Sequence, residues 1–198
     1  RVDTKIDNVG ILTVTSSGVN VTGIVTANSF VVGGNTLGSF TEGSIISCTS
    51  NSGGEVSTDT ILSTTRRFEV FILSMSLDGS SEFRFRLRNA SGDVTSGYSA
   101  TGGYVSNASY ANEQHFTGGY VTKGMASPSV NWSGHITFKN YKDHYWYANG
   151  DFWNDSGATH YWIHGHVNLT AQITGFTLGK QGNSFDNGEF RINQYTNP

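Results

Sequence analysis

Between Glu82 and Arg88 the chain alternates without a fault. Phe83, Phe85 and Leu87 fall on one side, with Glu82, Arg84, Arg86 and Arg88 on the other. A period of two suits only an extended strand with one face buried and the other in solvent. The period returns at 130–138, where Val130, Trp132, Ile136 and Phe138 are expected inward and Asn131, Ser133, His135 and Thr137 outward. Residues 68–77 are apolar on both faces, as in a central strand covered on both sides. No 3.6-residue period lasts beyond about two turns. The chain is expected to be all-β.

The 198 residues include 25 Gly, 13% aromatic side chains and only 14% charged ones. That mixture makes strands and turns; a disordered chain needs more charge and fewer aromatics. A net charge of −3 gives no general attraction to nucleic acid or to an anionic membrane, so neither is an expected partner. No apolar run approaches the ~20 residues of a membrane-crossing helix, and membrane insertion is not expected. The single Cys48 excludes an intrachain disulfide framework. Six Asn-x-Ser/Thr sequons, at Asn20, Asn89, Asn107, Asn131, Asn154 and Asn168, carry little weight in a chain so rich in these residues. The start at Arg1, without Met, reads as that of a fragment of a longer protein.

Residues 1–40 differ in texture from the rest, with short Val, Ile and Thr runs separated by Gly. So little chain cannot build a core alone, because isolated hairpins are marginal in water. Burying Ile11, Val14, Val21, Ile24 and Phe30 against identical copies resolves this, so an intertwined homo-oligomeric β-stalk is expected, with a disordered linker as the alternative. Residues 41–198 form the head. A connector with a first strand around 44–49 leads in, and 89–125 read as short strands joined by long loops. The chain closes at 171–195 with two short strands carrying Ile173, Phe190 and Ile192, flanking a Gly/Asn-rich reversal. About eight strands in ~130 residues, the last returning to close the domain as a β-arch, fit a two-sheet jelly-roll sandwich.

Two resemblances sharpen this reading. The stretch from Gly18 to Gly38, with its Gly-Ile-Val-Thr-Ala-Asn-Ser-Phe core, resembles short repeats in structural and tail-fibre proteins of tailed bacteriophages, cyanophages especially. From Phe68 onward the order of features resembles a jelly-roll module common at the C-terminal ends of phage fibre proteins. Its marks are an apolar strand, FRFRLR at 83–88, TSGY at 95–98, the strand opening at 173–176 and a Gly-Asn-x-Phe-Asp-x-Gly loop at 182–188. The last strand ends Asn193-Gln194-Tyr195-Thr196 rather than in the Tyr-Gly-Ile-like tripeptide of that module. The resemblance implies a homotrimeric receptor-binding tip on the tail fibre of an extracellular virion. It would join the rest of the fibre at its N-terminal side and meet a host cell-surface glycan or protein receptor.

The densest functional signal is the aromatic and histidine zone 141–166. Tyr141, His144, Tyr145, Trp146, Tyr147, Trp153 and Trp162 are the glycan-binding candidates, because indole and phenol faces stack on the C–H faces of sugars. The blander reading is an aromatic core plus an intersubunit contact. His160, Trp162, His164 and His166 fall on one face of a strand, with Tyr161, Ile163 and Val167 on the core side. Histidines two apart on a strand are able to share a metal, and His164-Gly165-His166 resembles an iron-binding His-x-His motif of some long-fibre tips. A structural ion at His160, His164 and His166 is therefore a candidate, against ordinary solvent-facing or interface histidines. Arg84, Arg86 and Arg88 form a candidate basic stripe for an acidic glycan, against a simply solvated strand face.

Catalysis finds little support. Asp143, Asp151, Asp155, Asp186 and Glu189 sit in Asn/Gly contexts typical of turns, and no nucleophile elbow, HExxH or phosphate loop is present. The expectation is a non-enzymatic adhesin, without a cofactor beyond the candidate ion. A capsid decoration or baseplate jelly-roll and a monomeric carbohydrate-binding module are the alternatives.

Overall fold

The computed structural model describes residues 31–32, 35–36, 39–50, 55–58, 60–79, 82–106, 109–122, 130–155, 158–181 and 184–196. Ile11, Val14, Val21, Ile24 and Phe30, on which the expected stalk rests, lie outside the described residues. Short strands come first: β1 (Val31–Val32), β2 (Asn35–Thr36), β3 (Phe40–Thr41), β4 (Ile46–Ser47) and, after a 3-10 turn at Cys48–Ser50, β5 (Val56–Thr58). Then follow β6 (Thr65–Leu77), β7 (Glu82–Asn89), β8 (Gly92–Asp93), β9 (Tyr98–Ser106), β10 (Ser109–Phe116) and β11 (Tyr120–Thr122). The chain ends with β12 (Trp132–Lys142), β13 (Tyr145–Asn154), β14 (Thr159–Asn168), β15 (Ile173–Gln181) and β16 (Phe185–Thr196). Among the described residues there is no α-helix, so the all-β expectation holds.

Among the described residues, β1 and β2 pair only with each other. The rest form two antiparallel sheets, as expected of a sandwich. The larger runs β10-β9-β14-β13-β12-β6-β16-β3, with β4 also on β16; the smaller runs β11-β7-β15-β5, with β8 on β7. The alternation at 82–88 aims Phe83, Phe85 and Leu87 into the gap between the sheets, all fully buried. There they meet Phe68, Ile136, Phe138, Phe152 and Tyr161 from the larger sheet. Phe176 of β15 touches Phe68, Phe138 and Phe190 of the facing sheet and Phe85 beside it, with ring centroids 5.8 to 6.4 Å apart. Two tyrosines tie the layers with polar bonds. The Leu87 amide of the small sheet donates to the Tyr98 hydroxyl at 2.9 Å, and the Tyr161 hydroxyl donates to the Val121 carbonyl at 3.5 Å.

The closing arch is as the sequence suggests. β15 lies in the small sheet and β16 crosses to the large one, so the two strands face each other across the core and do not pair. Ile173, Phe190 and Ile192 are all buried. β16 fills the slot between β6 and the short strands β3 and β4, so the described chain enters and leaves side by side. The Ser39 amide donates to the Thr196 hydroxyl and the Thr196 amide to the Ser39 carbonyl, each at 3.0 Å.

Two expectations need correction. β6 is central but covered on one face only: Phe71 and Leu73 point to solvent, 38% and 55% exposed. Residues 89–125 hold two long strands, β9 and β10, joined as a hairpin. Their Gly- and Ser-rich composition reads as loop in isolation. In the sheet, Gly102 and Gly103 make room for the rings of Tyr161 and Trp162 on the neighbouring strand, so the missing side chains are supplied from β14.

Candidate functional site

The register of β6, β12, β13, β14 and β9 arranges the outer face of the large sheet in four rungs. The first runs Tyr195, Arg67, Lys139, Tyr147, His166, Ser99; the second Asn193, Glu69, Thr137, Asn149, His164, Thr101. The third runs Arg191, Phe71, His135, Asp151, Trp162, Gly103, and the fourth includes Ser133, Trp153, His160, Val105 and Tyr110. Neighbours along a rung stand ~5 Å apart, close enough for their side chains to touch.

Trp162 and Trp153 are the two indoles of this face. A Cβ on Gly103 would come within 2.5 Å of Trp162 Cζ2, so the indole lies across the bare backbone of β9. The Tyr110 ring of β10 continues the surface, 5.8 Å away and inclined by 22°. Trp153 is 45% exposed and stacks on His160 at 4.9 Å and 15°. His160 is fixed in turn by Asp151, with Nε2 3.0 Å from Oδ1, and its ring is 6.3 Å from that of Trp162. Asp151, expected in a turn, thus sits inside a strand and orients a histidine between two indoles.

A second aromatic group gathers where the β12–β13 turn meets the end of β14. Tyr145 stacks on His166 at 5.0 Å and 22°, and Tyr147 meets both Tyr141 and Tyr145 edge-on. Tyr141, His144, Tyr145, Tyr147 and Leu169 line a hollow of about 340 Å³. Asp143 makes the turn with φ of 48°, and Asn140 Nδ2 donates to its carbonyl at 2.9 Å. Tyr141 is 74% exposed.

The glycan candidates therefore divide. Trp153 and Trp162 stand together, as do Tyr141, His144, Tyr145 and Tyr147. Trp146 does not belong to the site: it alternates inward, is 1% exposed and packs 5.7 Å from Phe68 in the core. The candidate metal set is not brought together either. His160, His164 and His166 do point outward, but they spread along one extended strand, with ~13 Å of backbone between the first two. Among the described residues no group of three His, Cys, Asp or Glu is placed to hold a metal ion.

The basic stripe lies on the other sheet and is spent on its own neighbours. Arg86 Nε donates to the Gly118 carbonyl at 2.8 Å, and Arg88 Nη1 to Asp93 Oδ1 at 2.7 Å. Asp93 also accepts from the Thr177 hydroxyl at 2.7 Å. Burial, with the charge of Arg86 beside it, lowers the pKa of Arg84, whose surroundings include Glu82 and Glu55. These half-buried arginines hold β7, β8 and β15 together.

The alternation at 130–138 placed His135 outward but gave no neighbours; it stacks on Phe71 at 5.9 Å. Arg67, Glu69 and Tyr195 form a further cluster that no motif signalled. Arg67 binds Glu69 Oε1 and lies 4.8 Å over the Tyr195 ring, while the Tyr195 hydroxyl donates to Glu69 Oε2 at 2.9 Å. Burial pushes the Glu69 carboxyl up, yet hydrogen bonds from Arg67 and Tyr195 and the charges of Arg67 and His135 outweigh it and hold the group below its ordinary value. A depressed carboxyl contributes stability above its unfolded pKa and loses it as pH falls through the folded one. Glu69→Gln is therefore expected to lower the melting temperature at about pH 7, the gap to the parent narrowing as the pH drops below about 4. A gap that stays constant down to about pH 2 would refute the assignment.

Compared with family models, with curated proteins and with solved structures, the chain matches none.

Proposed function

We propose that this protein is the receptor-binding head of a bacteriophage-type tail fibre, adhering as a homotrimer to glycans of a host cell surface. The observation that carries the adhesion reading is the Trp153–His160–Trp162–Tyr110 surface, four ring systems in sequence on an open sheet face. Aromatic rings stacked side by side on a sheet face are held in place before a ligand arrives, and they offer sugars both C–H stacking and ring N–H hydrogen bonds. The finer assignment of the sandwich as a jelly-roll is supported by the β15–β16 arch and by the return of β16 beside β6. The resemblance of residues 18–38 to fibre repeats supports the trimer and the place in a virion. Three weak sites on one particle gain avidity from effective concentration, so modest affinity per site suffices.

A second reading, a virion structural protein that contacts other virion proteins, is favoured by one observation. Ile45, Phe71 and Leu73 are exposed together around a hollow of about 310 Å³ that Glu189 and Arg191 also line. An apolar patch of this kind suits a protein neighbour better than a sugar.

Two measurements test the proposal. Light scattering of the purified chain is expected to give the mass of three copies; a monomer removes the fibre-stalk argument. A glycan array is expected to show retained sugars. A trimer that retains none would transfer the weight to the structural reading.

A further inference from the structure

Beside the aromatic surface, the first two rungs enclose a hollow of about 320 Å³ lined by Arg67, Thr137, Lys139, Tyr147, Asn149 and His164. We propose that this hollow is an anion subsite, which makes the preferred ligand an acidic saccharide bearing a carboxylate or a sulfate ester. The inference rests on the reading of this face as a glycan-binding surface.

The charges around the hollow do not cancel. Arg67 is balanced by Glu69, whose two oxygens are occupied by Arg67 and by the Tyr195 hydroxyl, with the Thr137 hydroxyl 3.5 Å from Oε1. Asp151, one rung away, does not line the hollow, and its Oδ1 faces His160 Nε2 at 3.0 Å. Lys139 remains. It is exposed, lies between Arg67 and Tyr147 in the register, and has no ion-pair partner among the described residues. The hollow therefore carries one positive charge with no carboxylate left over to meet it, which suits an anion and repels a cation.

Its remaining groups are donors. The Tyr147 hydroxyl, the Asn149 amide and a His164 ring nitrogen are able to donate, while the Thr137 hydroxyl is turned to Glu69 Oε1. The volume accommodates about one sugar ring with its substituents. Tyr147 belongs both to this hollow and to the aromatic hollow at the β12–β13 turn, so a chain of sugars crossing the face has a ring to stack on next to the charge.

The test uses three tetrasaccharide probes on the intact chain: tetragalacturonate, its methyl ester, and a sulfated galactose oligomer. The expected result is that at least one anionic probe binds about tenfold or more tightly than the ester, and that the advantage shrinks in ~0.5 M salt. If only the uronate or only the sulfated probe does so, the anion is thereby identified. Lys139→Gln, an exposed change that leaves the fold intact, is expected to remove the preference. An ester that binds as tightly as the acid, or a preference that survives Lys139→Gln, overturns the inference. So does failure of both anionic probes. If glycans retained on an array are then neutral and lost in Trp162→Ala, the glycan-binding reading stands and only the acidic subsite falls. If no glycan is retained at all, the glycan-binding reading falls with it.

Discussion

Truncating Phe176 to alanine is expected to cost ~3–5 kcal/mol of unfolding free energy. Phe176 is fully buried and lies against four other phenylalanines, three of them from the opposite sheet. Removing its ring leaves a void that neither sheet closes fully, because each backbone is fixed by its own ladder of hydrogen bonds. Urea denaturation of the two proteins measures the difference. A loss below ~1 kcal/mol would mean that the sheets do not meet across this ring.

The second large effect concerns binding and separates two tryptophans that look alike in the sequence. Trp162→Ala is expected to weaken retention on glycans by roughly 30-fold, about 2 kcal/mol, with little change in melting temperature. Trp162 sits on the outer face against Gly103 and Tyr110, so its removal uncovers backbone and empties no core space. Trp146→Ala is expected to do the reverse. Its ring is buried against Phe68, and its loss destabilises the sandwich by ~3–5 kcal/mol while leaving the outer rings in place. Array binding and thermal unfolding of both variants check the pair. Equal effects of the two substitutions on binding would sink the assignment of the outer face.

The sequence carried the direction of side chains well and their neighbours poorly. Phe83, Phe85 and Leu87, and likewise Tyr161, Ile163 and Val167, point inward as their alternation says, because one polar face and one apolar face leave a strand only one way to lie. Around Trp146 both faces are aromatic, Tyr145 and Tyr147 on one side and Trp146 on the other, so alternation could not say which faced the core. Gly102 and Gly103 look like loop residues until the register sets Tyr161 and Trp162 over them. The arginine stripe was legible as outward, but its consumption by Asp93, Thr177 and Gly118 depends on partners 5 to 89 residues away. The Lys139 hollow is hidden for the same reason: its residues come from four strands, and only pairing brings them together.

The side-by-side entry and exit of the described chain at Ser39 and Thr196 gives the sandwich a near end and a far end. The rung of Tyr195 and Arg67 lies at the near end, and that of Trp153 and His160 stands about six residues along the strands, ~20 Å farther out. The rungs lie on a wall parallel to that direction, not on a cap across it. Held at the Ser39 and Thr196 end, the molecule would offer its rings along its flank and not at its far tip. If the proposed adhesion is right, a flat cell surface would meet the flank of the head, with the tether lying over rather than standing upright.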